Sequence, residues 1–258
     1  MSRDSMTTQQ AMKGDLVPLY SRAQIYRLLS IAFYHPSDTL IQGLRDGSFE
    51  EALIEATRNL SPASPLRDRL NHLGRTIRSA VADDLRSIFS EYHALFGTDP
   101  RDSLTPYETD YTTSDVFVKS NELADIAGFY RAFGLKPSKG DREREDHISV
   151  ELEFMHQLIS LEAHARRKRW KEKASVCLDA QKKFLTSHLG TWKLIMQHQK
   201  ETKPDLTFYN SLGQFTEAFL ASEAKFLEAN LPSRELNPQP LSSPDEATFG
   251  CDDSCPYI

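Results

Sequence analysis

Apolar residues recur at a helical period along almost the whole chain, and this constrains the fold more than any other feature. From Leu16 to Tyr34 they fall at Leu19, Ala23, Tyr26, Leu29 and Phe33, close to 3.6 residues per turn. The strongest stripe runs through Ile148, Leu152, Met155, Leu158 or Ile159, and Ala163. No segment shows a strand-like alternation that survives its flanking turns. Glycine supports the same conclusion, with only 11 in 258 residues, well below the usual share of about 7%. A chain so poor in glycine and rich in Leu, Ala, Glu, Lys and Arg favours helix. The fold class expected is all-α, a single-domain helical bundle.

Local signals divide the pattern. His35-Pro36 ends the first helix. Ser48 and Glu51 form a possible capping box for a helix from Phe49 to Leu60. Ser64-Pro65 opens another, to about Ser79. A helix from Asp83 to Phe96 stops at Gly97, and Ser120 is a candidate cap for one ending at Phe133 and Gly134. Asp146 is the candidate N-cap of the long helix reaching about Arg169. Further helices are expected over 174–189, 191–201 and 204–231. Residues 97–119 break the pattern with Pro100, Pro106 and many Ser, Thr and Asp. A loop this long inside a helical domain is usually functional or disordered, and its interleaved aromatics argue against disorder. Three parts are expected: a flexible N-terminus (1–14), a helical domain (15–231) and a flexible tail (232–258). The tail holds five prolines, Cys251 and Cys255.

Charge and composition exclude several functions. The balance of 31 basic to 37 acidic residues is net −6, unsuited to gripping duplex nucleic acid but able to attract a basic peptide. No stretch approaches the roughly 20 apolar residues that cross a bilayer, so no direct membrane insertion is expected. Residues 1–15 lack an apolar secretory core. Three cysteines are too few for a disulfide scaffold, which with the missing leader points to a cytoplasmic location. Phosphate-binding glycine loops and a Gly-x-Ser-x-Gly elbow are both absent. The reading is therefore of a protein with no catalytic residues and no metal site.

Two segments could carry recognition. Asp146 and His147 stand at a loop-to-helix junction, with Glu151 one turn beyond His147. They could be an ordinary helix start, or a polar patch facing the segment Pro106 to Tyr111. That segment packs Tyr107, Glu108, Asp110 and Tyr111 into a short loop. It could simply cover the core, or form a peptide-binding lip with rings for apolar side chains and carboxylates for Arg or Lys. The basic run His164 to Lys171 reads as a solvated helix end. Cys251 and Cys255 lack a second pair for zinc.

These pieces, in order, resemble the TorD/DmsD/NarJ family of molybdoenzyme maturation chaperones. They are Tyr34-His35-Pro36, Glu91-Tyr92-His93-Ala94-Leu95-Phe96-Gly97, the segment Pro106 to Tyr111, Phe129 to Leu135 and Asp146 to Met155. Phe184, His188, Leu189 and Trp192 fit the distal helices. Thr109 stands where serine is commoner. The resemblance implies an all-helical, non-catalytic protein with no stably bound cofactor. Its partner would be the catalytic subunit of a DMSO-reductase-type enzyme, often through the twin-arginine signal peptide. The client, not the chaperone, carries molybdopterin-guanine dinucleotide. The Asp-His pair carries over to Asp146 and His147, and the Pro-Tyr-Glu loop to Pro106, Tyr107 and Glu108. Two alternatives remain: an accessory subunit that stays on a mature redox enzyme, and a metal-dependent all-α hydrolase using His147.

Overall fold

The computed structural model describes residues 3–60, 64–97, 104–112, 115–135, 143–233 and 236. Ten α-helices occur in these residues: α1 (Arg3–Phe33), α2 (Asp38–Arg45), α3 (Ser48–Asn59), α4 (Ser64–Ala82), α5 (Arg86–Phe96), α6 (Val116–Ala132), α7 (Ile148–Arg167), α8 (Lys171–Ser187), α9 (Trp192–Thr202) and α10 (Thr207–Phe226). Two short 3-10 turns, Glu108–Tyr111 and Leu189–Thr191, join them. Among the described residues there is no strand, only an isolated antiparallel bridge between Tyr107 and His147. The fold is all-α, as expected.

Helix α1 packs along α7 and against α3, α7 against α8, and α10 along α4 and α9. Helices α1 and α7 face the core with the stripes that their sequence predicts, Leu19, Ala23, Tyr26, Leu29 and Phe33 on α1 and Leu152, Met155 and Ile159 on α7, and α10 buries Leu212, Phe215 and Phe219. A buried polar chain ties four of these helices together. Arg22 of α1 donates from Nε and Nη2 to the carboxylate of Glu223 on α10, at 2.8 and 2.7 Å. Its Nη2 also reaches Gln181 of α8, which donates to Glu162 of α7, both at 2.7–2.9 Å. Nothing in the local sequence around Arg22 announces a buried ion pair. An α1 stripe that turns toward both α7 and α10 brings it there.

Helix ends differ from the local signals in instructive ways. Helix α1 begins at Arg3, not near residue 15, so residues 3–14 are helical; Met, Gln, Ala and Lys here are fair helix formers. Helix α2 had no expected counterpart, although Ser37 caps it by accepting from Leu40 N–H at 3.3 Å. The Ser48–Glu51 box does not form. Gly47, at φ +82°, precedes α3, and Asp46 takes the Ser48 N–H at 3.0 Å. Helix α5 starts at Arg86 because Asp84 and Leu85 are left-handed. Burying Leu85 gains about 1.5–3 kcal/mol and offsets the roughly 1–2 kcal/mol of that backbone conformation.

Gly97 does end α5, but in extended backbone, and a Cβ there would collide with the His93 carbonyl. Helix α6 starts four residues before Ser120. Asp115 is the stronger cap and accepts from Phe117 and Val118 N–H, while Ser120 hydrogen-bonds back to Val116 inside the helix. Gly134, at φ +71°, closes α6 as its position predicts. Of the expected flexible tail, Leu236 packs against the core. Cys251 and Cys255 lie outside the described residues.

Candidate functional site

The junction into α7 and the segment around Pro106 meet, the placement that one of the two sequence readings required. Glu108 N–H donates to the Asp146 carbonyl and Ile148 N–H to the Pro106 carbonyl, both at 2.9 Å. This short backbone pairing lays residues 105–111 across the start of α7. Tyr111 then closes the segment on itself: its hydroxyl donates to the Thr105 carbonyl at 2.8 Å and accepts from Thr105 N–H at 3.0 Å.

The N-cap of α7 is His147, not Asp146. Nδ1 of His147 accepts from Ser149 N–H at 3.1 Å. A ring nitrogen that accepts a backbone N–H must be unprotonated, and the ring is 1% exposed. Burial, against the opposing pull of Glu143 and Asp146, lowers the His147 pKa to about 4. His147 is therefore a neutral imidazole, packed edge-on against Tyr34 and Tyr107.

Asp146 instead anchors the crossing segment. Its fully buried carboxylate accepts from Thr109 N–H at 3.2 Å and from Thr109 Oγ1 at 2.8 Å. It also takes a two-pronged contact from Arg144, Nε at 3.0 Å and Nη2 at 2.7 Å. The guanidinium lies 4.3 Å from the centre of the Tyr107 ring and 3.6 Å from Asp110. Burial opposes the Arg144 charge, but Asp146 and Asp110 outweigh it and hold its pKa above the ordinary value. Tyr107 completes the arrangement by donating to Glu143 at 2.8 Å. Burial and that carboxylate push the Tyr107 phenol up.

Of the seven residues singled out, the structure gathers six around this junction. Only Tyr107 and Asp110 keep appreciable exposure. Asp146, His147, Glu108 and Tyr111 are buried and form the frame rather than the open face. Glu151 is also buried, one turn inward, where it accepts from Trp192 Nε1 at 3.2 Å. Glu108 faces His188 at 3.3 Å, and His188 reaches Asp125 of α6 at 2.9 Å on its other nitrogen. Burial disfavours the imidazolium, but the two carboxylates outweigh it and raise the His188 pKa.

Arg144, Glu143, Thr109 and His188 were not singled out. Glu143 and Arg144 fall in no motif of the sequence, and Thr109 and His188 enter only as positions in the family resemblance. Thr109 and His188 meet carboxylates 37 and 80 positions away, and Arg144 and Glu143 reach back to Thr109 and Tyr107, 35 and 36 positions away. Among the described residues no group of three or more His, Cys, Asp or Glu side chains is arranged to hold a metal ion.

Two clefts adjoin this junction. One, of about 280 Å3, is lined by Tyr92, Phe96, Tyr107, Asp110, Arg144 and His147, among others. The other, of about 530 Å3, runs between α1, α6 and α7, with Ile31, Tyr34, Leu135, Val150 and Phe154 among its walls and the carboxylates of Glu143 and Glu153 beside them. Glu143 lines both. A carboxylate site that holds a guanidinium thus adjoins a mainly apolar trough.

No helix among the described residues is long and apolar enough to cross a membrane. The family model described as "Nitrate reductase delta subunit" matches residues 59–193, just over half of the chain. A perchlorate reductase assembly chaperone protein from Dechloromonas aromatica is 27% identical over 78% of this chain and 87% of its own length. A chaperone protein TorD from Vibrio cholerae is 25% identical over 80% of this chain and 92% of its own. A TorD from Photobacterium profundum is 25% identical over 64% and 73%. The match spans the crossing segment, α7 and α8, but not α1, the helix that packs most extensively along α7. The chain belongs to the NarJ/TorD family, whose model carries the nitrate reductase delta subunit description.

Proposed function

We propose that this protein is a dedicated maturation chaperone, a binding protein rather than an enzyme. Its client would be the catalytic subunit of a DMSO-reductase-type molybdoenzyme. The grip would fall on that subunit's twin-arginine signal peptide, and the complex would assist insertion of molybdopterin-guanine dinucleotide before export or assembly. The relatives, named as chaperones, support the coarser part of this reading. One observation supports the finer part: a carboxylate pair and a tyrosine face that already hold a guanidinium, beside an apolar trough.

The physics suits such a peptide. An arginine pairs with a carboxylate through two parallel N–H donors, which sets orientation as well as affinity. An apolar segment lying in the trough contributes about 25 cal/mol for each Å2 removed from water. An all-helical frame with an apolar trough suits holding a chain. The work would be done in the cytoplasm, before the client is transported.

Isothermal titration with a synthetic Arg-Arg signal peptide tests the reading. The expected result is saturable binding that an alanine-for-arginine peptide loses. Absence of binding to either peptide refutes it. The family's description as a reductase subunit keeps a second reading, an accessory subunit of the finished enzyme. Mass spectrometry of the mature enzyme separates the two: a chaperone is absent from it.

A further inference from the structure

We infer that Arg144 is an internal stand-in for a client arginine, occupying the site until the client displaces it. This rests on the reading of the protein as a binder of arginine-bearing peptides, and adds how that site is kept closed.

The argument starts from unequal burial within one ion pair. The Asp146 side chain is 0% exposed, whereas that of Arg144 is 40% exposed. Asp146 is fixed from behind by Thr109 N–H and hydroxyl, so its carboxylate cannot turn toward water. Arg144 is different. Its guanidinium lines the 280 Å3 cleft and is held by Asp146, the Thr109 hydroxyl, Asp110 and the Tyr107 face. Every one of those contacts is available to any guanidinium that enters from the cleft.

Exchange of one guanidinium for another makes and breaks the same bonds. The buried Asp146 charge is never left alone, which would be costly, and the departing Arg144 returns to water. Electrostatics point the same way. With Arg144 and Lys119 in place, the charges of Asp110 and Asp146 are matched, and the remaining carboxylate on the cleft, Glu143, accepts from the Tyr107 hydroxyl. Once Arg144 leaves, a net negative charge faces the incoming peptide. Selectivity also follows. The two-pronged contact and the stack on Tyr107 need a planar fork, which lysine lacks.

The test uses the full chain with Arg144→Ala and Arg144→Gln, the second keeping one hydrogen-bond donor should the first fold poorly. Two probes are used: an Arg-Arg signal peptide by titration, and N-acetyl-arginine amide by thermal shift. The expected result is peptide binding roughly tenfold or more tighter than wild type, from loss of an internal competitor that makes a charge-assisted contact. A Lys-Lys peptide should show no such gain. N-acetyl-arginine amide should raise the melting temperature of the variants and leave that of wild type nearly unmoved.

If wild type binds the peptide and neither variant binds it more tightly, Arg144 is only a structural partner of Asp146; this inference is overturned and the proposed function stands. If no form binds the peptide but the amide still stabilises the variants, the arginine site stands and the signal-peptide reading falls. If neither probe acts on any form, both fall.

Discussion

Replacing Asp146 with alanine should release the segment that crosses α7, and the size of the effect follows from its partners. The substitution removes four hydrogen bonds, two from Thr109 and two from Arg144. Arg144 is half-open and regains water, so its loss counts little. Thr109 is 0% exposed, and its N–H and hydroxyl are left without their carboxylate partner. A buried donor deprived of its acceptor costs about 1–3 kcal/mol. The estimate for Asp146→Ala is therefore about 2–4 kcal/mol, and for Asp146→Asn, which keeps one acceptor, roughly half of that. In a chain of this size that lowers the melting temperature by about 2–4 °C for each kcal/mol. Urea unfolding followed by circular dichroism gives the global value. Hydrogen exchange at the Glu108 and Ile148 amides, which pair the two segments, gives the local one. An alanine variant within about 0.5 kcal/mol of wild type, with unchanged exchange at both amides, would refute Asp146 as the anchor.

Glu91 of α5 caps α10 from outside, accepting from Phe208 and Tyr209 N–H at 2.8 and 3.1 Å; Glu91→Ala should cost about 1–3 kcal/mol in urea unfolding, with Glu91→Gln milder. Glu223→Ala strands the Arg22 guanidinium in the core and should cost about 3–5 kcal/mol, read as a lower urea midpoint at an unchanged slope. Stability should also fall on either side of about pH 6.5, for opposite reasons. The lowered His147 pKa contributes stability above the unfolded value near 6.5, lost as pH falls toward about 4, on the order of 3 kcal/mol. The raised His188 pKa contributes stability below about pH 6.5 that is lost as pH rises through its folded value. In unfolding curves across pH, His147→Asn should flatten only the limb below about pH 6.5 and His188→Gln only the limb above it.

The sequence by itself determined the helical architecture and most of the core. Apolar spacing at 3.6 residues is a local property, and a helix satisfies its own backbone within each segment. It also determined where several helices stop, since Gly134 acts through its own backbone angle and Gly97 through its contact with the preceding turn. It placed Pro106 to Tyr111 opposite Asp146 and His147 as one of two open readings, and the backbone pairing of Glu108 with Asp146 bears that placement out.

Only the tertiary structure decided which group does what there. Asp146 gives up the expected cap because its carboxylate finds Thr109 and Arg144 within reach, leaving the helix cap to the His147 imidazole. The start of α10 depends on Glu91, more than a hundred positions away. The charge of Arg22 is tolerable inside the core only because Glu223, 201 positions distant, meets it there. Such partners carry no period and no spacing along the chain. Whether a carboxylate is a cap, an anchor or an open binding group depends on which donors surround it and whether water reaches it, and both are properties of packing.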